Sequence, residues 1–162
     1  MDYSMFKKNY RRFITVLAVA SLFVTDLYAQ DGLGVGAIVG EPSGVIVKYW
    51  VDKNNAFDAA FAWSLADNSP FQIHADYLIH GASLIGNSSD AKGRLPWYCG
   101  IGGRIKNINN ESHFGVRAPF GVTYLLSEVP VDIFGEITPV LDVKPTINVN
   151  WNGALGIRYY FK

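Results

Sequence analysis

Cysteine occurs once in the chain, at Cys99, so no intramolecular disulfide can hold it together. Long apolar runs are missing too. The longest, Phe13–Val24, is about 12 residues, whereas a helix needs roughly 20 to cross a hydrocarbon core about 30 Å thick. Charge is sparse and balanced, with 14 basic and 14 acidic residues making up 17% of the chain. Beyond Arg12 no basic cluster of the kind nucleic acid requires is present, which excludes that class of partner. Helical spacing of apolar residues is not evident in the region from Gln30 onward. The glycine clusters Gly32-Leu33-Gly34-Val35-Gly36 and Gly100-Ile101-Gly102-Gly103 lack the strand-to-helix setting of a nucleotide loop. No cofactor or metal is therefore expected.

What is present begins with Lys7, Lys8, Arg11 and Arg12, followed by the Phe13–Val24 run and a polar stretch ending at Ala29. This is the layout of a secretory signal peptide, with cleavage expected after Ala29. Removing residues 1–29 takes away four basic and two acidic residues, leaving 10 against 12 and a net charge of −2 in a single domain spanning residues 30–162.

That domain is built of runs alternating apolar with small or polar residues, separated by turn chemistry. In Ala56–Ala66, the residues Phe57, Ala59, Phe61, Trp63 and Leu65 form one face, and Asp58, Ala60, Ala62, Ser64 and Ala66 the other. Phe71–His80 repeats the scheme. The same reading places strands at Leu33–Gly40, Val45–Val51, Pro96–Ile105, Phe114–Leu126, Val131–Leu141 and Val149–Phe161, which makes eight. Their connections carry Gly, Pro, Asn, Asp and Ser, the longest being Ala82–Arg94.

A soluble barrel and a membrane barrel share this period but differ in which face points outward. Charge decides between them. Lys48, Asp58, Asp76, Arg104, Arg117, Asp132, Glu136 and Arg158 all fall on the less apolar parity of their strands, and the opposite parity carries none. Aromatic residues (Phe57, Trp63, Phe71, Trp97, Phe114, Tyr124, Trp151, Phe161) end strands on the apolar face, as interfacial girdles would. Glycines crowd the polar face, which suits the inside of an eight-stranded barrel. The expected fold is all-β: an eight-stranded antiparallel transmembrane β-barrel, an up-and-down meander, in a bacterial outer membrane.

The closing Gly153–Phe161 segment resembles the C-terminal signal of bacterial outer-membrane barrels, read by the barrel-insertion machinery through alternating apolar residues ending in an aromatic. More closely, GLGVGAIVGEPSGVIVKYW, HADYLIH, LPWYCGIGGR and GIRYYF together resemble a family of small outer-membrane β-barrel proteins of spirochaetes, including the Lyme-disease group. The resemblance covers essentially all of residues 30–162. It implies outer-membrane lipid as surroundings and host extracellular proteins as partners, and it brings no catalytic residue.

Four cations (Lys48, Arg104, Arg117, Arg158) and four anions (Asp58, Asp76, Asp132, Glu136) are thus assigned to one narrow lumen. Charges held away from water must be paired. The expectation is a charge-paired, closed lumen, with Glu136 set between Arg117 on the strand before it and Arg158 on the strand after. A structural or host-binding role follows; a narrow porin-like channel is the alternative. A lipid-modifying enzyme would have to draw on Ser64, His74, Asp76 and His80, without any nucleophile motif. His74 and His80 stand six residues apart on one strand, about 20 Å, and cannot share a metal ion.

Overall fold

The structure is a computed structural model that describes residues 32–41, 43–63, 71–85, 93–108, 111–144 and 147–161. The expected signal peptide and Ser64 lie outside the described residues. Ten strands form in chain order: β1 Gly32–Gly40, β2 Ser43–Trp50, β3 Asn55–Trp63, β4 Phe71–Ser83, β5 Gly93–Arg94, β6 Pro96–Ile108, β7 Glu111–Arg117, β8 Phe120–Leu126, β9 Val131–Lys144 and β10 Asn148–Phe161. Every pairing is antiparallel, and β10 pairs with β1 from Leu33 opposite Phe161 to Gly40 opposite Ala154, which closes the sheet. β5 and β6 are segments of one stave, as are β7 and β8, so the result is an eight-stranded up-and-down barrel.

The Phe114–Leu126 run, expected to be continuous, is interrupted at Ala118 and Pro119. Proline has no N–H to give to a ladder. The stave keeps its place because the Pro119 carbonyl accepts from Gly100 N at 2.9 Å and Ala118 N donates to Pro139 O at 3.1 Å. Three strands run further than their own periodicity suggests: β4 to Ser83, β6 to Ile108 and β9 to Lys144. The long Ala82–Arg94 connection is shortened accordingly. Leu84 N donates to Leu95 O at 2.8 Å, and Leu95 N donates to the Ser83 hydroxyl at 3.0 Å, so the hairpin extends past the register shift between His80 and Ser83.

Period-2 alternation carries through to burial. Ile46, Lys48 and Trp50 are buried while Val45 and Tyr49 are exposed, and the same holds stave after stave. The inside is filled by pairing large side chains with glycine on the next strand. The Tyr160 ring occupies the space a Cβ on Gly34 would take, the Phe134 ring that of Gly156, and the Tyr98 ring that of Gly121. A Cβ added at Gly121 would stand 2.5 Å from the Tyr98 ring and 2.4 Å from the Gly135 carbonyl oxygen. Gly121→Ala is therefore expected to cost about 1–3 kcal/mol by overpacking. Heat-modifiable gel migration would register it as a lower conversion temperature, and an unchanged temperature would mean the lumen is looser than this packing.

Candidate functional site

The eight charged residues singled out by parity sit on seven strands and all face the lumen. Lys48, Asp58, Asp76, Arg104, Arg117, Asp132 and Arg158 are buried, and the Glu136 side chain is 9% exposed. Two further charges join them. Lys106 and Asp142 continue the inward parity of β6 and β9 and are buried as well. Both lie beyond the strand ends, Ile105 and Leu141, that the periodicity predicts. The signal was there, since 106 extends the series 98, 100, 102, 104 and 142 extends 132 to 140, but it required the strands to be longer than their apolar faces.

At the end that holds Gly32 and Phe161, Arg158 donates through Nε to Asp132 Oδ1 at 2.9 Å and through Nη2 to Oδ2 at 3.0 Å, a two-pronged contact. The pair is built by register, because Arg158 of β10 stands directly opposite Asp132 of β9. The Tyr160 hydroxyl donates to the same carboxylate, and the Arg158 guanidinium lies 4.0 Å above the Phe134 ring. This corrects the expectation that Arg158 would serve Glu136. Nearby, Lys48 Nζ is 2.8 Å from His80 Nε2 and 4.3 Å from the Trp50 ring centroid. His80 Nδ1 lies 3.1 Å from the Asn54 carbonyl, to which it donates, so Nε2 is left to accept from the lysine.

At mid-barrel Arg117 is the hub. Its Nη2 donates to Glu136 Oε1 at 2.8 Å, and its Nε stands 2.9 Å from Asp76 Oδ2, an ionic contact without hydrogen-bond alignment. Strands β4, β7 and β9 are thereby tied across the lumen. Glu136 also accepts from the Tyr98 hydroxyl at 2.9 Å and from the Thr138 hydroxyl at 2.7 Å. Towards the other end, Arg104 clasps Asp142 through Nε at 3.1 Å and Nη2 at 2.7 Å, and Asn150 donates to the same carboxylate at 2.8 Å.

Each of the three luminal arginines thus hydrogen-bonds a different carboxylate: Asp132, Glu136 or Asp142. Asp58 and Asp76 remain, facing each other across the β3–β4 pair. Asp58 stands opposite Lys48 in the β2–β3 register and has Arg158 Nη1 at 4.0 Å. A narrow crevice of about 10 Å³, room for about one water molecule, is lined by Glu41, His74, Arg117, Glu136, Thr138 and Asn152 among others and lies between the Glu41 turn and the arginine hub.

No protein-family model matches the chain, and no curated protein matches it. Among solved structures it is similar to the N-terminal β-barrel domain of Pseudomonas aeruginosa OprF, with 13% identity over 82% of this chain and 98% of that one and a TM-score of 0.58. At that identity the likeness is one of fold. It agrees with strand order, closure and register in assigning the chain to the eight-stranded up-and-down β-barrels.

Proposed function

We propose that this chain is an integral outer-membrane barrel with a closed, charge-paired lumen, non-enzymatic, acting as a structural or surface-binding protein of the small spirochaetal kind. Support for the membrane comes from the outward face. Val45, Phe61, Ile73, Ile105, Ile137, Leu155 and Ile157 are all exposed, and they belong to a belt running round the staves. A monomer in water rarely exposes more than a few hundred Å² of continuous apolar surface. Aromatic side chains edge the belt, with Phe61 stacked on Phe71 towards one end and Phe57 against Tyr77 towards the other, as interfacial girdles do. Outer-membrane lipid is the partner such a belt fits, and the aromatic-ended β10 is the segment the insertion machinery would read.

The observation that carries the closed lumen is Arg117, 2% exposed, bound at the barrel's waist to Glu136 on the neighbouring stave and to Asp76 two staves away on its other side. An eight-stranded barrel is just wide enough to be filled by its own side chains. The refolded protein is expected to give no stepwise current in a planar lipid bilayer. Sustained unitary conductance would replace this reading with the porin-like one. A catalytic role for His74 gains nothing from Asp76, whose carboxylate is directed to Arg117. Host-protein binding rests on the family resemblance, and the surface for it would be the turns at the Glu41 end; loss of binding to host extracellular proteins when those turns are replaced would test it.

A further inference from the structure

We propose that Asp58, His74 and Asp76 form a binding site for one divalent cation of the zinc type inside the barrel. The three residues come from adjacent strands, β3 and β4, and all face the lumen, at 4%, 4% and 3% exposure. One ligand atom from each lies within 4.8 Å of the other two. Donors around a single zinc ion at about 2.0–2.2 Å stand roughly 3.4 Å apart, so small rotamer adjustments close the set.

These same atoms lack hydrogen-bond partners. Asp58 Oδ1, His74 Nδ1 and Asp76 Oδ1 are buried without one, and Asp76 Oδ2 has only its unaligned ionic contact with Arg117, although a buried polar atom ordinarily has a partner. His80 makes the contrast, since both of its ring nitrogens are engaged, one by Asn54 and one by Lys48. Gly102 supplies room on the far side: a Cβ there would stand 1.9 Å from Asp76 Oδ1, so only glycine lets that carboxylate lie where it does.

Arginine is the obvious competitor for two buried carboxylates, and it reaches them only in part. Arg158, Arg117 and Arg104 make their hydrogen bonds to Asp132, Glu136 and Asp142; Arg117 Nε touches Asp76 Oδ2 at 2.9 Å without hydrogen-bond alignment, and Arg158 Nη1 stays 4.0 Å from Asp58 Oδ2. Asp58 and Asp76 face each other in cross-strand register as two carboxylates, which repel each other unless a proton or a cation comes between them. Two carboxylate oxygens and one imidazole nitrogen are a borderline-hard set that suits zinc and leaves a fourth position open. The small crevice between the Glu41 turn and Arg117 includes His74 in its wall, so the imidazole borders the polar space nearest that end of the barrel.

The test is a zinc titration of the full chain refolded in detergent, followed by calorimetry, with cobalt as a visible-absorption probe. One zinc per chain is expected, raising the temperature of heat-modifiable migration, with manganese weaker, as the divalent-ion affinity order requires. Asp58→Asn and His74→Gln should each weaken binding tenfold or more, and His113→Gln should leave it unchanged. Each variant is scored only if it shows the folded band, and the cobalt spectrum of the unaltered chain decides should both fail to fold. The absence of zinc binding, or binding that survives both Asp58→Asn and His74→Gln, overturns the proposal. The site rests on barrel register alone, so conductance tests the closed lumen separately.

Discussion

Leu155→Arg is expected to cut the fraction of chain that inserts into lipid vesicles by about thirtyfold or more, since arginine at mid-bilayer on the lipid face costs roughly 2–4 kcal/mol. Leu155 is 68% exposed at the middle of β10. Trp151 lies four residues to one side and Tyr159 four to the other, about 13 Å each along the strand. The two aromatics mark the edges of the band, and Leu155 its centre. Val47→Arg should act in the same direction, as Val47 has outward parity near the middle of β2. Asn152→Arg is the control, because Asn152 sits on the same strand with inward parity and lines the crevice that Glu41 and Glu136 also line. Insertion is measured by protease protection or by the folded band on a gel. Should Asn152→Arg block insertion while Leu155→Arg inserts, inside and outside are reversed.

The strands were legible because a barrel stave is the simplest pattern a sequence can carry. Successive residues alternate between faces, and a one-residue slip would exchange outer face and lumen for the whole strand. Ala56–Trp63 shows this directly, with Phe57 and Phe61 exposed and Ala56, Asp58, Ala60 and Ala62 buried. Strand ends were another matter. β4 continues to Ser83 because Leu95 and Pro96 across the gap offer it a ladder, and β9 continues to Lys144 because β7 and β10 flank it there. A strand lasts as long as its neighbours do, and that information lies elsewhere in the chain. Pro119 was visible in the sequence, but its consequence, a break with the ladder held by its own carbonyl, depends on where Gly100 falls.

In the lumen, the direction of each charge could be read and its partner could not. Parity places Arg158, Glu136 and Asp132 inside, but the choice between the two acids is a matter of stagger. In β9–β10 register Arg158 falls opposite Asp132, while Ala154 falls opposite Glu136. The same gap explains Asp58, His74 and Asp76. His74 and Asp76 share a strand and were paired in the sequence reading, and His74 with His80 was excluded by distance. Asp58 enters only when β3 and β4 are aligned so that it faces Asp76. Tyr98 and Tyr160, which cap Glu136 and Asp132, carry inward parity too, but a tyrosine in a membrane barrel is as readily assigned to the girdle.

Arg117→Leu is expected to be among the most destabilising single changes in the barrel, by about 3–5 kcal/mol, because it strands two buried carboxylates at once. Glu136 would keep its bonds from Tyr98 and Thr138, while Asp76 would keep none of the contacts seen at its oxygens. Glu136→Gln should be milder. The amide oxygen can still accept from Tyr98, Thr138 or Arg117, and Arg117 retains Asp76. The decisive comparison is the triple variant, Arg117→Leu with Asp76→Asn and Glu136→Gln, which removes the hub and neutralises both acids. Members of one network are not additive, so the triple should recover much of what the single loses. Urea unfolding in lipid vesicles, followed by tryptophan fluorescence, measures all three. If Glu136→Gln costs as much as Arg117→Leu, Glu136 rather than the arginine holds the waist. A triple variant that simply sums the losses would mean the lumen is wet enough to solvate each charge alone, and the closed barrel would give way to a hydrated one.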